Sequence, residues 1–222
     1  MSDMMSSNDH LAGGQPATAA SRPASADALS FDEQGSAASA AGFSAVGVHA
    51  GFRHDPERLD MALVVADQPA SAAATFTTNV FCAPPVTVSR QHLDEGAPGQ
   101  TAYGCARAVV VNSGVANAAT GARGIEAARR SAEIVADAVG CPASEVLVAS
   151  TGVIGRHLDL QPFAKGVPAA LAAMESADSP QKRAGQGVTA ARAIMTTDTV
   201  PKHGAVRFEG DEVGYPGAVF TI

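Results

Sequence analysis

The sequence predicts a mixed α/β (α+β) fold, and three observations carry that expectation. Apolar runs of strand length recur through the first half of the chain, the clearest being Asp60 to Ala66 and Ala106 to Asn112. One segment has helical periodicity: Ile125, Ala128, Ala132, Val135 and Val139 share a face, and Glu126, Arg129, Arg130 and Glu133 take the other. The composition is 46% hydrophobic but only 5% aromatic, so the core must be built from small side chains, as in a sheet packed on alanine-lined helices.

In chain order, Met1 to about Ser39 is a Ser/Ala/Asp-rich stretch with no periodic apolar face, and residues 1–40 are expected to be a disordered leader. The folded part, 41–222, should begin near Ala41-Gly42-Phe43. Gly42 to Phe52 reads as a glycine-punctuated strand, Asp60 to Ala66 as a second and Ala72 to Thr78 as a third, together an antiparallel sheet. Pro84-Pro85 should interrupt before Val86 to Ser89, a short or edge strand, because proline cannot donate to a ladder. Ala106 to Asn112 is a buried strand, and the helix over 125–139 stops at Gly140 and Pro142. Glu145 to Ala149 is another strand. Pro162 suits the first turn of a helix running to about Met174, and Glu175 to Gly187 reads as a polar, exposed connection. Ala205 to Phe208 and Val213 to Tyr215 flank Glu209-Gly210-Asp211-Glu212 as a hairpin, with Val219 to Ile222 a further strand.

The formal net charge of −7 disfavours nucleic acid or an anionic membrane surface as partner and favours a small-molecule ligand. Cys82, Cys105 and Cys141 are scattered, which points to buried thiols in a reducing compartment, and the cytoplasm is the expected location. No apolar run approaches the length of a membrane helix, and the N-terminus has neither the shape of a secretory signal nor that of an Arg-rich transit peptide. The six histidines include no i,i+4 pair and none lies at ligand spacing from a cysteine or carboxylate, so no metal is expected. Dinucleotide, triphosphate and α/β-hydrolase fingerprints are missing.

Hydroxyls and backbone amides remain as candidate chemistry. Val146 to Ala149 runs straight into Ser150-Thr151-Gly152-Val153-Ile154-Gly155, a strand that ends in two hydroxyls and two glycines. Glycine permits close backbone approach, so the amides around Thr151 and Gly152 are candidates to face a substrate oxygen; the plainer reading is an ordinary strand-to-loop exit. Asn112-Ser113-Gly114 is a similar exit, where Ser113 is either a nucleophile or, more simply, a turn residue. Thr196-Thr197-Asp198-Thr199 is a third hydroxyl cluster, in which Asp198 can also serve as a turn cap.

These blocks together resemble the ornithine acetyltransferases, the bifunctional glutamate N-acetyltransferases of arginine biosynthesis. The likeness runs from about Gly42 to Lys202 through Gly42 to Val48, Ala66 to Ala70, Phe76 to Asn79, Asn112 to Gly114, Val148 to Gly155 and Ala193 to Thr199, the last two blocks being the most specific. The resemblance implies a layered αββα sandwich shared with self-processing aminopeptidases. It implies a precursor that cuts itself before a threonine, the freed threonine becoming the nucleophile of a β chain in an α2β2 heterotetramer. Acetyl then passes from N-acetylornithine to glutamate by a ping-pong route, with no cofactor and with acetyl-coenzyme A as an optional second donor. Thr151 and Gly152 take the place of the oxyanion-hole pair and Thr196 that of a substrate-binding threonine. The nucleophile and a substrate lysine are expected beyond Ile222, so 41–222 reads as the α-chain portion. Two positions depart from the family's Asn-Ala-Asn-Ala-Cys-Thr-Gly run: Val115 and Ala119 stand where it has an amide and a thiol. The alternatives are an inactive shortened relative serving as a binding or structural subunit, and an amidase or aminopeptidase of the same fold.

Overall fold

The computed structural model describes residues 29–96, 103–208 and 217–220. Among these residues seven strands and four α-helices follow one another as β1 (Leu29–Asp32), β2 (Phe43–Val48), β3 (Met61–Ala73), α1 (Pro84–Gly96), β4 (Tyr103–Val115), α2 (Gly121–Val139), β5 (Val146–Val153), α3 (Gln161–Glu175), α4 (Pro180–Ala193), β6 (Ala205–Phe208) and β7 (Gly217–Phe220). Short 3-10 turns at Ala37–Ser39 and Ala143–Glu145 precede β2 and β5.

The main sheet has the order β2-β3-β4-β5. Strands β2, β3 and β4 are antiparallel, β3 and β4 being joined through α1, whereas β5 lies parallel to β4. A parallel neighbour needs a long crossover, and α2 supplies it. The second sheet, β1-β6-β7, is antiparallel throughout.

Strand alternation assigns the two faces of the main sheet. Val46, Met61, Leu63, Val110, Val146 and Val148 point to one side, where they pack with Ala128, Ala132 and Val135 of α2 and Phe163 and Val167 of α3. Ala45 and Ala62 point to the other, against Ala190 and Ala193 of α4. The second interface is close because Gly47 has no side chain: a Cβ there would lie 2.1 Å from the Thr189 carbonyl oxygen, and its N–H donates to Thr189 Oγ1 at 2.8 Å.

Several expectations change. The segment from Leu29 to Ser39, expected to be disordered, forms β1 and a 3-10 turn; Ser36 is buried and its hydroxyl donates to the Ala184 carbonyl at 3.0 Å. Residues 1–28 of the expected leader lie outside the described residues. Val86 to Ser89 is helix, not strand: Pro84-Pro85 opens α1, where a missing N–H costs nothing, and the helix buries its own Val88 and Leu93 fully. Ala72-Ala73 is the end of one long β3, not a separate strand, and residues 66–69, including Pro69, bulge where the register with β4 shifts between Val65 and Ala70. Glu175 to Gly187 is not simply a connection: Ser179 caps α4 by accepting from the Lys182 N–H, with Pro180 at the first turn. In the hairpin, β6 pairs with β7, so Ala205 lies opposite Phe220 and the expected last strand is its second arm; Val213 to Tyr215 lies outside the described residues. Cys82, Cys105 and Cys141, expected to be buried, are free and only half-buried. Among the described residues no helix is long and apolar enough to cross a membrane.

Candidate active site

Strands β4 and β5 end together. In their parallel register Asn112 is the partner of Ser150, Ser113 of Thr151 and Gly114 of Gly152, so both polar strand exits of the sequence are adjacent in space. Beyond them the loops stay zipped: the Ala116 N–H donates to the Val153 carbonyl at 3.0 Å and the Gly155 N–H to the Ala118 carbonyl at 2.8 Å.

Gly152 has φ +132°, and a Cβ on it would sit 2.4 Å from the Gly114 carbonyl carbon and 2.7 Å from the Val115 nitrogen. Only glycine lets the two strands meet this closely, and Gly152 itself lies exposed near the end of β5. Thr151 beside it is half-buried. A short hydroxyl and a bare backbone at a strand end are the groups that an oxyanion-binding turn requires.

The β4–α2 loop is held by Asn117, fully buried with φ +46°. Its side-chain amide donates to the Gly124 carbonyl at 2.9 Å and its oxygen accepts from Thr120 Oγ1 at 2.8 Å. Val115, one of the two departures from the family run, is only 3% exposed and belongs to the main core, so its side chain does not line the strand exit. Ala119 is exposed with φ +57°.

Ser113 is neither an accessible nucleophile nor a turn residue. It lies within β4 with no exposure, its N–H donates to the Asp60 carbonyl at 2.8 Å and its hydroxyl donates to the Ala193 carbonyl at 2.7 Å. Arg53 Nε in turn donates to Ser113 Oγ at 3.2 Å, and Arg53 Nη2 to the Met195 carbonyl at 3.0 Å. Burial, and then the neighbouring Arg58 charge, lower the Arg53 pKa from its ordinary value, with Asp60 opposing.

Asp60 anchors this network. It is wholly buried; Oδ1 accepts from the Ala50 N–H at 2.6 Å, and Oδ2 from the Gly51 and Arg53 N–H groups at 3.2 and 2.9 Å. His49 Nδ1 lies 3.4 Å from Oδ2 and 2.9 Å from the Arg58 carbonyl. The loop hung on Asp60 is pinned to α3 as well, because the Phe52 ring meets Phe163 edge to face at 4.9 Å. Sequence reasoning missed Asp60, Arg53 and Arg58. The one available signal was a carboxylate opening a fully apolar strand, where a buried charge demands donors.

Thr196 follows α4 and is half-buried, and Arg58 Nη2 reaches its carbonyl at 3.4 Å. Asp198 is not a turn cap but an exposed ion-pair partner of Lys202, whose hydrogen bond and charge lower its pKa. Among the described residues no group of three or more His, Cys, Asp or Glu side chains is placed to hold a metal ion.

The mixed α/β fold thus sets two glycine-containing strand exits side by side and ties the segment that leads into the third hydroxyl cluster to one of them. The ArgJ family model matches residues 44–218, and the chain belongs to that family. The arginine biosynthesis bifunctional protein ArgJ of Nitratidesulfovibrio vulgaris is 46% identical over 167 residues, 74% of this chain and 38% of the relative. Its counterpart from Chlorobaculum tepidum is 45% identical over 161 residues, 72% of this chain and 36% of the relative. The chain thus spans a little over a third of the length of these curated relatives. Among solved structures, ArgJ of Bacillus halodurans superposes with a TM-score of 0.71 at 33% identity, covering 87% of this chain and 90% of that one. An ornithine acetyltransferase of Mycobacterium tuberculosis, complexed with ornithine, superposes at 0.69 and 34%, covering 86% of this chain and 100% of that one. The layered α/β class and the family expected from the Ser-Thr-Gly-Val-Ile-Gly and Ile-Met-Thr-Thr-Asp-Thr blocks both hold.

Proposed function

We propose that the chain is the α-chain portion of a glutamate N-acetyltransferase that moves acetyl from N-acetylornithine to glutamate. The observation that carries the reading is the Thr151-Gly152 end of β5, a half-buried hydroxyl-bearing residue next to an exposed glycine at φ +132°. The name of the Mycobacterium tuberculosis neighbour and its bound ornithine support the substrate class.

In this reading a threonine that begins a separate β chain attacks the acetyl carbon of N-acetylornithine. The carbonyl π electrons move to oxygen, and that oxyanion accepts hydrogen bonds from Thr151 Oγ–H and the Gly152 N–H. Collapse breaks the C–N bond; ornithine leaves with the proton taken from the threonine hydroxyl, and an acetyl ester remains on the threonine. The glutamate amine then attacks the ester through the same hole, releases the threonine and carries acetyl away. Thr196 binds the substrate. The reaction needs no cofactor, and acetyl-coenzyme A can replace N-acetylornithine as donor to the same threonine. An α2β2 assembly in the cytoplasm completes the proposal.

Exposed apolar surface supports a partner chain. Val153 and Ile154, at and just past the end of β5, and Val200 are 58, 70 and 60% exposed, and an apolar groove of ≈ 370 Å³ lined by Phe43, Ala62, Val64, Val109, Val111 and Ile194 lies open beside α4. The test is co-expression of the chain with a family β chain that begins with threonine. N-acetylornithine-dependent acetylation of glutamate is expected from the pair and not from the chain alone. Release of free acetate without acetylglutamate would support a hydrolase, and inactivity of the pair would support a binding or structural subunit.

A further inference from the structure

Three backbone carbonyls at and just after the end of α4, those of Ala193, Met195 and Thr196, are each held by a side chain from β4 or from the β2–β3 loop. Ser113 holds the first at 2.7 Å, Arg53 the second at 3.0 Å and Arg58 the third at 3.4 Å. Arginine can only donate, so the Arg53 Nε bond uses Ser113 Oγ as acceptor and obliges the serine proton to go to Ala193. The direction of the whole chain of bonds is therefore set. Asp60 fixes the other end, because its buried carboxylate accepts the Ala50, Gly51 and Arg53 N–H groups and so determines where the Arg53 side chain begins.

Ser113 is also the register partner of Thr151. One residue thus belongs to the strand pair that carries the oxyanion turn and binds the backbone three positions before Thr196. Gly114 leaves room for this: a Cβ there, at φ +105°, would lie 3.2 Å from Arg53 Cγ.

We propose that Ser113, Arg53 and Asp60 are positioning residues that set the placement of Thr196 relative to Thr151 and Gly152, and through it the fit of the acetylated substrate. This rests on the acetyltransferase reading above. Arg53 does so by its fork, one nitrogen to Ser113 and another to Met195, which a lysine ammonium cannot span in the same way.

The test uses the co-expressed pair of chains carrying Ser113→Ala or Arg53→Lys. Loss of one charge-assisted or buried hydrogen bond is expected to raise KM for N-acetylornithine about 10- to 100-fold, with kcat altered much less, since the oxyanion donors remain. Amide hydrogen exchange on the same variants should show faster exchange at 195–199 while the β4 and β5 amides keep wild-type protection. Wild-type KM in both variants, or exchange that accelerates equally throughout the sheet, would overturn the proposal. If the wild-type pair transfers no acetyl, the acetyltransferase reading falls, and the exchange pattern alone decides whether the three residues hold the 195–199 segment in place.

Discussion

Replacing Gly152 with alanine tests the strand-exit geometry most directly. The backbone there has φ +132°, and holding an L-residue in so sparsely populated a region costs about 1–3 kcal/mol. The new methyl would also sit 2.4 Å from the Gly114 carbonyl carbon, about 1 Å inside ordinary contact, and the obstacle is backbone rather than a movable side chain. Overpacking of this kind adds about 1–3 kcal/mol, for a total of roughly 2–6 kcal/mol. Gly155→Ala is the internal control: it has φ +80° but nothing within 4 Å of its Cβ, so only the left-handed penalty of about 1–2 kcal/mol applies. Urea unfolding of both variants, read as midpoints at constant m, should place Gly152→Ala below Gly155→Ala. Equal midpoints would refute the reasoning, because they would mean that β4 and β5 separate freely at this point.

Other outcomes follow from the same geometry. Thr151→Ala, co-expressed with the threonine-beginning half, should fold as wild type and lose about 100- to 1,000-fold in turnover; undiminished turnover would reduce Thr151 to a turn residue. Asp60→Asn puts an NH2 group against backbone N–H donors at a site with no exposure and should cost about 3–5 kcal/mol in urea unfolding. Burial, and then the Glu145 carboxylate, raise the Cys141 pKa from its ordinary value. A raised folded-state value means that the neutral thiol is favoured by the fold. Its contribution to stability is complete below the unfolded thiol range and is lost as pH rises through the folded value, so urea midpoints should fall above about pH 8.5. Glu145→Gln should speed alkylation of Cys141 at that pH by bringing the thiol back toward its ordinary range.

An element whose alanine-rich face also carries branched apolar residues at helical spacing, Ile125, Val135 and Val139, was legible in the sequence. Helix α2 shows this: Val135 and Ala132 are fully buried, and Gly140, in the left-handed region, ends the helix where expected. Helix α4 was not legible, because the face it buries consists of Gly187, Ala190, Ala191 and Ala193, residues too small to mark a hydrophobic stripe. Helix α1 was hidden by Pro84-Pro85, which suits a first helical turn as well as a sheet edge. For the site, the hydroxyl and glycine clusters could be read as local strings. The clamp through Asp60, Arg53 and Ser113 could not, since nothing local in Ala193 to Thr196 announces that its carbonyls are taken by side chains from elsewhere.

Those carbonyl bonds join residues 142 and 80 positions apart, whereas β4, α2 and β5 form one contiguous stretch. Loop closure over such separations comes after local pairing, so a chain emerging from the ribosome can pair β3, β4 and β5 while Met195 and Thr196 are still unmade. The strand exits are then present but their third wall is missing, and the polar groups of Ser113 and Arg53 must stay hydrated until α4 arrives. The tie between the strand exits and the segment after α4 is in this sense formed later than the sheet that carries those exits. Slow or interrupted translation near Ala193 would yield a product whose β3, β4 and β5 can pair while Ser113 and Arg53 lack their carbonyl acceptors.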